Sequence, residues 1–214
     1  MRRNTKGDDE YRLYTTEAFG QWARFYDPFL SLFRLKGVRK ETVEMSGVRR
    51  KDKVLDVCTG TGDVALEFAR RCDDVTGIDL SAEMLTVARR KDKESSIRFL
   101  QMDATKLDFA DNEFDVSSIS LALHDMPPGV GEEVLQEMGR VTKGKIVIVD
   151  YNPPRTPILR AFYIAIVSLW ESKYFPDFAR GDFEGLLARC GLQVERGKPA
   201  YFGFLWIRIC CPQE

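Results

Sequence analysis

The sequence predicts an α/β fold: a mostly parallel sheet with helices on both faces, closed by an antiparallel hairpin and preceded by a helical cap. Three observations predict it. From residue 52 onward, strand-like and helix-like runs alternate, the pattern of a parallel sheet with crossover helices. Val54 to Val57 form a short apolar strand that runs straight into Cys58-Thr59-Gly60-Thr61-Gly62-Asp63, after which Val64, Ala65, Phe68 and Ala69 recur at helical spacing. Near the C-terminus, two strand-like runs follow one another with no helix between them, which requires an antiparallel pair at a sheet edge.

The elements follow in order. Residues 1–10 are charged. Tyr11 to about Val48 carry two helical segments broken near Asp27-Pro28, where proline disfavours a continuous helix. Aromatics crowd this region (Tyr14, Phe19, Trp22, Phe25, Tyr26, Phe29, Phe33). They suit a cap packed on the core, or a lid that offers ring faces to a cationic ligand. Residues 1–50 are therefore assigned to a charged arm and helical cap, and 51–214 to one domain. The first strand is placed at 54–58, with its helix running to about Cys72. The second strand is Val75–Asp79, and Ser81 is placed to cap the helix carrying Met84, Leu85 and Ala88. The third is Ile97–Met102, ending at Asp103, and the fourth Phe114–Ser120. Val130, Val134, Leu135, Met138 and Val141 share a helical face. Lys145–Asp150 is a near-continuous apolar run of the kind found in central parallel strands. Pro153, Pro154 and Pro157 mark a loop, and 153–178 reads as a substrate-side insertion. Within it, 158–170 is almost wholly apolar yet shorter than the roughly 20 residues a membrane-spanning helix needs. Three roles fit it: a buried helix, one wall of an apolar pocket, or a surface in peripheral contact with a membrane. Gly191 is placed just beyond a helix bearing Phe183, Leu186 and Leu187. The last hairpin is assigned a turn at Gly197-Lys198-Pro199 and a strand over Tyr201–Cys210.

Composition bounds the function. With 214 residues there is room for one well-cored α/β domain, and 44% hydrophobic with 30% charged residues is ordinary for a globular protein. A formal net charge of −1 gives no footprint for nucleic acid. Five cysteines without C-x-x-C spacing and a single histidine argue against a structural metal or disulfide framework, and for a reducing, cytoplasmic setting.

Strand, glycine turn and helix form the opening of a nucleotide-type site, because glycine lets the backbone approach a ligand and the helix start presents free N–H groups. Gly60-Thr61-Gly62-Asp63-Val64-Ala65 also fits the looser dinucleotide pattern G-x-G-x-x-A, and Asp79 suits a ribose in either case. Three features favour S-adenosyl-L-methionine. Asp56 lies inside the first strand, where a dinucleotide strand is normally apolar. Asp103 ends the third strand and suits an adenine amino group. No length remains for a separate substrate domain. Taken singly, each aspartate is an ordinary cap or turn residue; together they stand at the carboxyl ends of three strands around one turn.

Asp56-x-Cys58-Thr59-Gly60-Thr61-Gly62-Asp63, Gly77-Ile78-Asp79-Leu80-Ser81-x-Glu83-Met84-Leu85-x-x-Ala88, Asp103-Ala104 and Asp111-Asn112-Glu113-Phe114-Asp115 resemble class I methyltransferases. Within that superfamily they are most similar to the ubiquinone/menaquinone-biosynthesis C-methyltransferases, and Tyr26-Asp27 resembles a Tyr-Asp pair that precedes the first strand there. The likeness runs from about residue 19 to 150. It implies a Rossmann-like, seven-stranded sheet with the last strand antiparallel. It also implies that Asp56 and the Thr59, Gly60, Thr61 and Gly62 backbone meet the methionine portion, with Cys58 at the usual first glycine. Asp79 would hold the ribose, Leu80 and Met84 would flank the adenine, Asp103 and Ala104 would recognise its edge, and Ser120 would line the methyl side. The chain departs from the quinone enzymes after the fourth strand, where Ala122-Leu123-His124-Asp125-Met126 replaces an arginine-asparagine pattern.

Transfer of a methyl group to a phenol or ring carbon needs a base. His124 stands at the ligand edge and is the candidate; it equally suits a loop histidine capping the next helix. Tyr26, Asp125 and Tyr151 are candidates for substrate contact. The expected activity is methyl transfer from S-adenosyl-L-methionine, leaving S-adenosyl-L-homocysteine, to a small hydrophobic acceptor such as a quinone precursor or lipid head group. The alternatives are an NAD(P)-dependent oxidoreductase and a non-catalytic S-adenosylmethionine-binding protein.

Overall fold

The computed structural model describes residues 35–213. The aromatic segment before Leu35, with Tyr26, lies outside the described residues. The chain runs α1 (Lys36–Ser46), β1 (Lys53–Val57), α2 (Asp63–Ala69), β2 (Asp74–Asp79), α3 (Ala82–Lys91), β3 (Ile97–Gln101) and β4 (Phe114–Ser120). After a 3-10 turn at Leu123–Asp125 come α4 (Pro128–Val141), β5 (Thr142–Tyr151), α5 (Pro157–Val167), α6 (Phe175–Arg180), α7 (Phe183–Arg189), β6 (Leu192–Ala200) and β7 (Leu205–Pro212). They build a 7-stranded sheet in the order β3-β2-β1-β4-β5-β7-β6. β7 pairs antiparallel with both β5 and β6, and the remaining pairings are parallel.

Side-chain alternation along the strands divides the core between the two sheet faces. Val54, Val147, Val149, Ile207 and Ile209 join Val43 of α1, Phe68 of α2 and Leu85 of α3. Leu55, Val57, Ile146 and Ile148 join Val134, Leu135 and Met138 of α4 and Leu187 of α7. Ser81 caps α3 as expected, its Oγ accepting from Met84 N at 3.2 Å. The chain leaves β1 toward β2 and β3 on one side and returns to β4 on the other. This switch opens a crevice at the carboxyl ends of β1 and β4.

The hairpin departs from the sequence expectation. β6 runs unbroken through Gly197-Lys198-Pro199, and the reversal falls at Tyr201, Phe202 and Gly203, all with positive φ. β6 is the edge strand, where a proline without an N–H is tolerated. Gly197 serves packing instead of turning: a Cβ there would stand 2.4 Å from Trp206 Nε1. The insertion holds two helices, α5 and α6, whose Ile164, Val167, Phe175 and Ala179 form a small core of their own.

Candidate active site

The β1–α2 turn is built by close approach. Gly62 sits at φ 81, and a Cβ there would meet Ala88 Cβ at 2.9 Å and Phe99 Cζ at 3.1 Å. Cys58, at the usual glycine position, also has positive φ (53). It belongs to the turn, one residue past the end of β1. Asp56 holds this turn from below: Thr59 Oγ1 and Ser118 Oγ each donate to its carboxylate at 2.6 Å. Burial, only partly offset by those hydrogen bonds and one from the Ala65 backbone, pushes the Asp56 carboxyl up to about 6. Asp79 holds the turn from the side, accepting from Gly60 N at 2.8 Å and Ser81 N at 2.9 Å. Burial raises this carboxyl too. Two donors leave an ionised carboxylate with further lone pairs for sugar hydroxyls. Asp103 accepts from Thr105 N and Oγ1 at 2.9 and 2.7 Å, while Met102 N donates to Asp79 O at 3.0 Å and ties the β2 and β3 ends together. The Cys58 thiol is driven well up by burial and then by the charges of Asp79, Asp56 and Asp103.

A cavity of about 80 Å³ opens here, lined by Asp56, Cys58, Thr59, Gly60 and Thr61 on one side and Ser120 and Leu121 on the other. Leu35, Val38 and Arg39 of the cap roof it. Arg39 had no distinguishing signal in the sequence. Its guanidinium pairs with Asp63 at 2.6 Å, and Lys91 bridges Asp63 and Thr61 at 2.8 and 2.9 Å. Asp79, Leu80, Asp103 and Ala104 stand beyond the turn, half-buried, where the β2 and β3 ends meet; Met84 is buried behind them.

A second cluster lies past β4. Asp150, at the end of β5, receives Leu123 N at 3.0 Å, His124 N at 3.3 Å and His124 Nδ1 at 2.7 Å. The opposite nitrogen, Nε2, faces Glu171 at 3.2 Å and Asp125 at 3.6 Å, and Tyr151 OH donates to Glu171 at 2.5 Å. The ring is 3% exposed and packs edge-on to Tyr151, Phe175 and Phe178. Burial opposes a charged ring, but the Asp150 and Asp125 charges and the hydrogen bonds to Asp150 and Glu171 carry the His124 pKa well above its ordinary value. Burial likewise opposes ionised Glu171, and the His124 contact and the Tyr151 hydroxyl overcome it, holding that carboxyl low. The cluster is thus an imidazolium clamped between carboxylates. His124, Asp125 and Glu171 offer ligand atoms within 4.8 Å of one another, and here the ring itself supplies the positive charge a cation would bring. His124, Asp125 and Tyr151 therefore come together as one group. Asp150 and Glu171 complete it, and Glu171, 20 residues past Tyr151 on the insertion, gave no sequence signal.

Comparison with known proteins agrees with this architecture. A methyltransferase-domain family model matches residues 54–145. A demethylmenaquinone methyltransferase of Lactobacillus johnsonii is 32% identical over 178 residues, covering 77% of this chain and 69% of that protein. The chain belongs to the class I S-adenosylmethionine-dependent methyltransferases. Within that class it is similar to the ubiquinone/menaquinone biosynthesis C-methyltransferase UbiE of Bdellovibrio bacteriovorus, 43% identical over 131 residues, 58% of this chain and 55% of that one. The chain spans about half the length of the UbiE proteins it matches, 55% and 53% for Bdellovibrio bacteriovorus and Azotobacter vinelandii. In fold it resembles the magnesium protoporphyrin IX methyltransferase of Synechocystis, solved with bound S-adenosylhomocysteine, at TM-score 0.70, 16% identity and coverage of 96% and 100%. Membership of this class makes S-adenosyl-L-methionine the cofactor, and the oxidoreductase alternative is not favoured. Among the described residues, no helix is long and apolar enough to cross a membrane.

Proposed function

We propose that this protein transfers the methyl group of S-adenosyl-L-methionine to a small hydrophobic acceptor of the quinone-precursor type. One observation carries the donor half: Asp56 and Asp79 both hold the turn of small residues, through Thr59 Oγ1 and Gly60 N, beside a cavity lined by Asp56 and Cys58 to Thr61. Such a crevice favours a sulfonium over its neutral thioether product. Asp56 and the Thr59–Gly62 backbone are assigned to the methionine portion, with Arg39 available to its carboxylate. Asp79 takes the ribose, and Leu80, Met84, Asp103 and Ala104 take the adenine. In-line displacement then needs chiefly alignment, worth roughly 7–11 kcal/mol.

On the acceptor side, the relatives named for quinone biosynthesis and the apolar insertion support a greasy ring substrate. His124 acts in its protonated form. Once Glu171 turns from Nε2, its carboxylate takes the acceptor's hydroxyl proton and Nε2–H stabilises the oxyanion left behind. The ring carbon then takes the methyl from the sulfonium, S-adenosylhomocysteine leaves, and the proton of the methylated carbon passes to solvent. Asp150 fixes the ring orientation, and Asp125 and Tyr151 line the same site.

Transfer of a labelled methyl group from the cofactor into fractionated cell extract tests this reading. Label in a lipid-soluble, quinone-like product supports it, and label confined to aqueous metabolites would overturn it. With the lipid acceptor, His124→Gln should reduce turnover by about a hundredfold or more while S-adenosylhomocysteine affinity stays within twofold.

A further inference from the structure

The insertion carries a surface that the reaction does not use. Ile158, Leu159, Phe162 and Ile166 line one stripe of α5, and Leu169 and Trp170 extend it past the helix end; all are more than half exposed. Tyr163 stacks on Phe204 with ring centroids 6.3 Å apart. The apolar surface thereby continues onto the β6–β7 turn, where Phe202 is 95% exposed. An apolar patch of this extent marks a contact surface.

Its charge names the partner. Between Asp150 and Asp177 the only acidic residue is Glu171, which is turned inward to His124 and Tyr151. Arg155, Arg160 and Lys173 are the charged residues left in that stretch. At the start of α5 a cavity of about 520 Å³ gathers four arginines, Arg155, Arg160, Arg180 and Arg208, with two carboxylates, Asp182 and Glu184. Arg208 is paired with Glu184 at 3.1 Å, but Arg155 and Arg180 have no ion-pair partner among the described residues. Asp182 is engaged in capping α7, so Arg155 and Arg180 are left to match a phosphate, whose oxygens accept two parallel N–H bonds. Residues 1–34 hold six basic and five acidic side chains, a net charge of +1.

We propose that α5, the β6–β7 turn and the arginine-lined cavity together form a docking surface for an anionic phospholipid bilayer. The apolar stripe enters the interface and the cavity receives a headgroup phosphate, as in helices that lie in the membrane plane. This adds to the hydrophobic-acceptor reading, since an acceptor dissolved in the bilayer would meet the same insertion that carries Glu171.

Co-sedimentation of the full chain with vesicles tests the proposal without acceptor or cofactor, so its failure leaves the methyltransferase reading intact. The protein is expected to bind phosphatidylcholine vesicles only when they contain phosphatidylglycerol, and to be released by added salt. Arg155→Gln and Arg180→Gln should each weaken binding about fivefold. Phe162→Ser and Leu169→Ser should each weaken it about tenfold. All four positions lie away from the cofactor turn, so the variants should keep the parental melting temperature and S-adenosylhomocysteine affinity, which excludes misfolding. No binding to phosphatidylglycerol vesicles at low salt would overturn the proposal. So would binding indifferent to all four substitutions, or a concentration-dependent dimer that Phe162→Ser dissociates.

Discussion

The two halves of the candidate site are built by opposite means. On the donor side, one contiguous turn does most of the work: Asp56, Thr59, Gly60 and Gly62 lie within seven residues, and their contacts are backbone N–H groups and short hydroxyls. On the acceptor side, the His124 cluster gathers side chains from the β4 end, the β5 end and the insertion, across 47 residues from His124 to Glu171. The donor half is a buried excess of negative charge awaiting a cation. The acceptor half already contains its cation, the imidazolium. Substitutions should therefore separate the two: donor-side changes reach cofactor affinity, whereas acceptor-side changes spare it and act on stability and turnover.

The largest expected effect is at Gly62. A valine there combines a left-handed backbone with overlap against Ala88 and Phe99, costing roughly 2–5 kcal/mol of stability together with cofactor binding. Thermal unfolding and calorimetric titration would both register it; a variant of parental stability would show that the turn tolerates a side chain. His124→Ala comes next. It strips the cation from between Asp150, Asp125 and Glu171, which should cost about 3–5 kcal/mol while S-adenosylhomocysteine affinity is nearly kept in the folded protein.

That same clamp gives a pH signature. The His124 pKa is raised in the folded state, so its contribution is complete below the unfolded value of about 6.5. It declines as pH climbs toward the folded value, and is lost above it, because the native state retains a proton the unfolded chain has released. Unfolding free energy measured across the alkaline range should fall in the parent and much less in His124→Ala. Parallel curves would remove the imidazolium from the account.

The pH dependence of cofactor binding is a smaller effect. Asp56 titrates near 6 because burial disfavours its charge. A sulfonium favours the ionised form, so affinity for S-adenosylmethionine should rise by up to about tenfold as pH increases through 6. Affinity for the uncharged S-adenosylhomocysteine should change less. Equal pH dependence of the two ligands would mean that Asp56 does not sense the sulfonium charge.

Much of the donor half is legible in the sequence because its determinants are local. Glycines at fixed spacing, the Ser81 cap and an aspartate closing β2 each report on their own neighbourhood. Cys58 is the exception: its left-handed backbone is invisible in a residue type that usually avoids it. The acceptor half is legible only in fragments. His124 is conspicuous as the single histidine, yet nothing near it announces Asp150 or Glu171, which reach it through the β4–β5 register and the fold of the insertion. The hairpin turn was misplaced for a related reason. Gly197 and Pro199 have turn chemistry, but an edge strand accommodates both, and only the tertiary packing of Trp206 explains the glycine.

The central claim, that the aspartate-ringed turn holds an adenosyl sulfonium, is tested most directly by calorimetric titration of the parent and Asp79→Asn with S-adenosylmethionine and with NADH. The account predicts binding of S-adenosylmethionine, a loss of about ten- to a hundredfold in Asp79→Asn, and no heat with NADH. Unchanged affinity in the variant, or NADH binding at the same site, would contradict it.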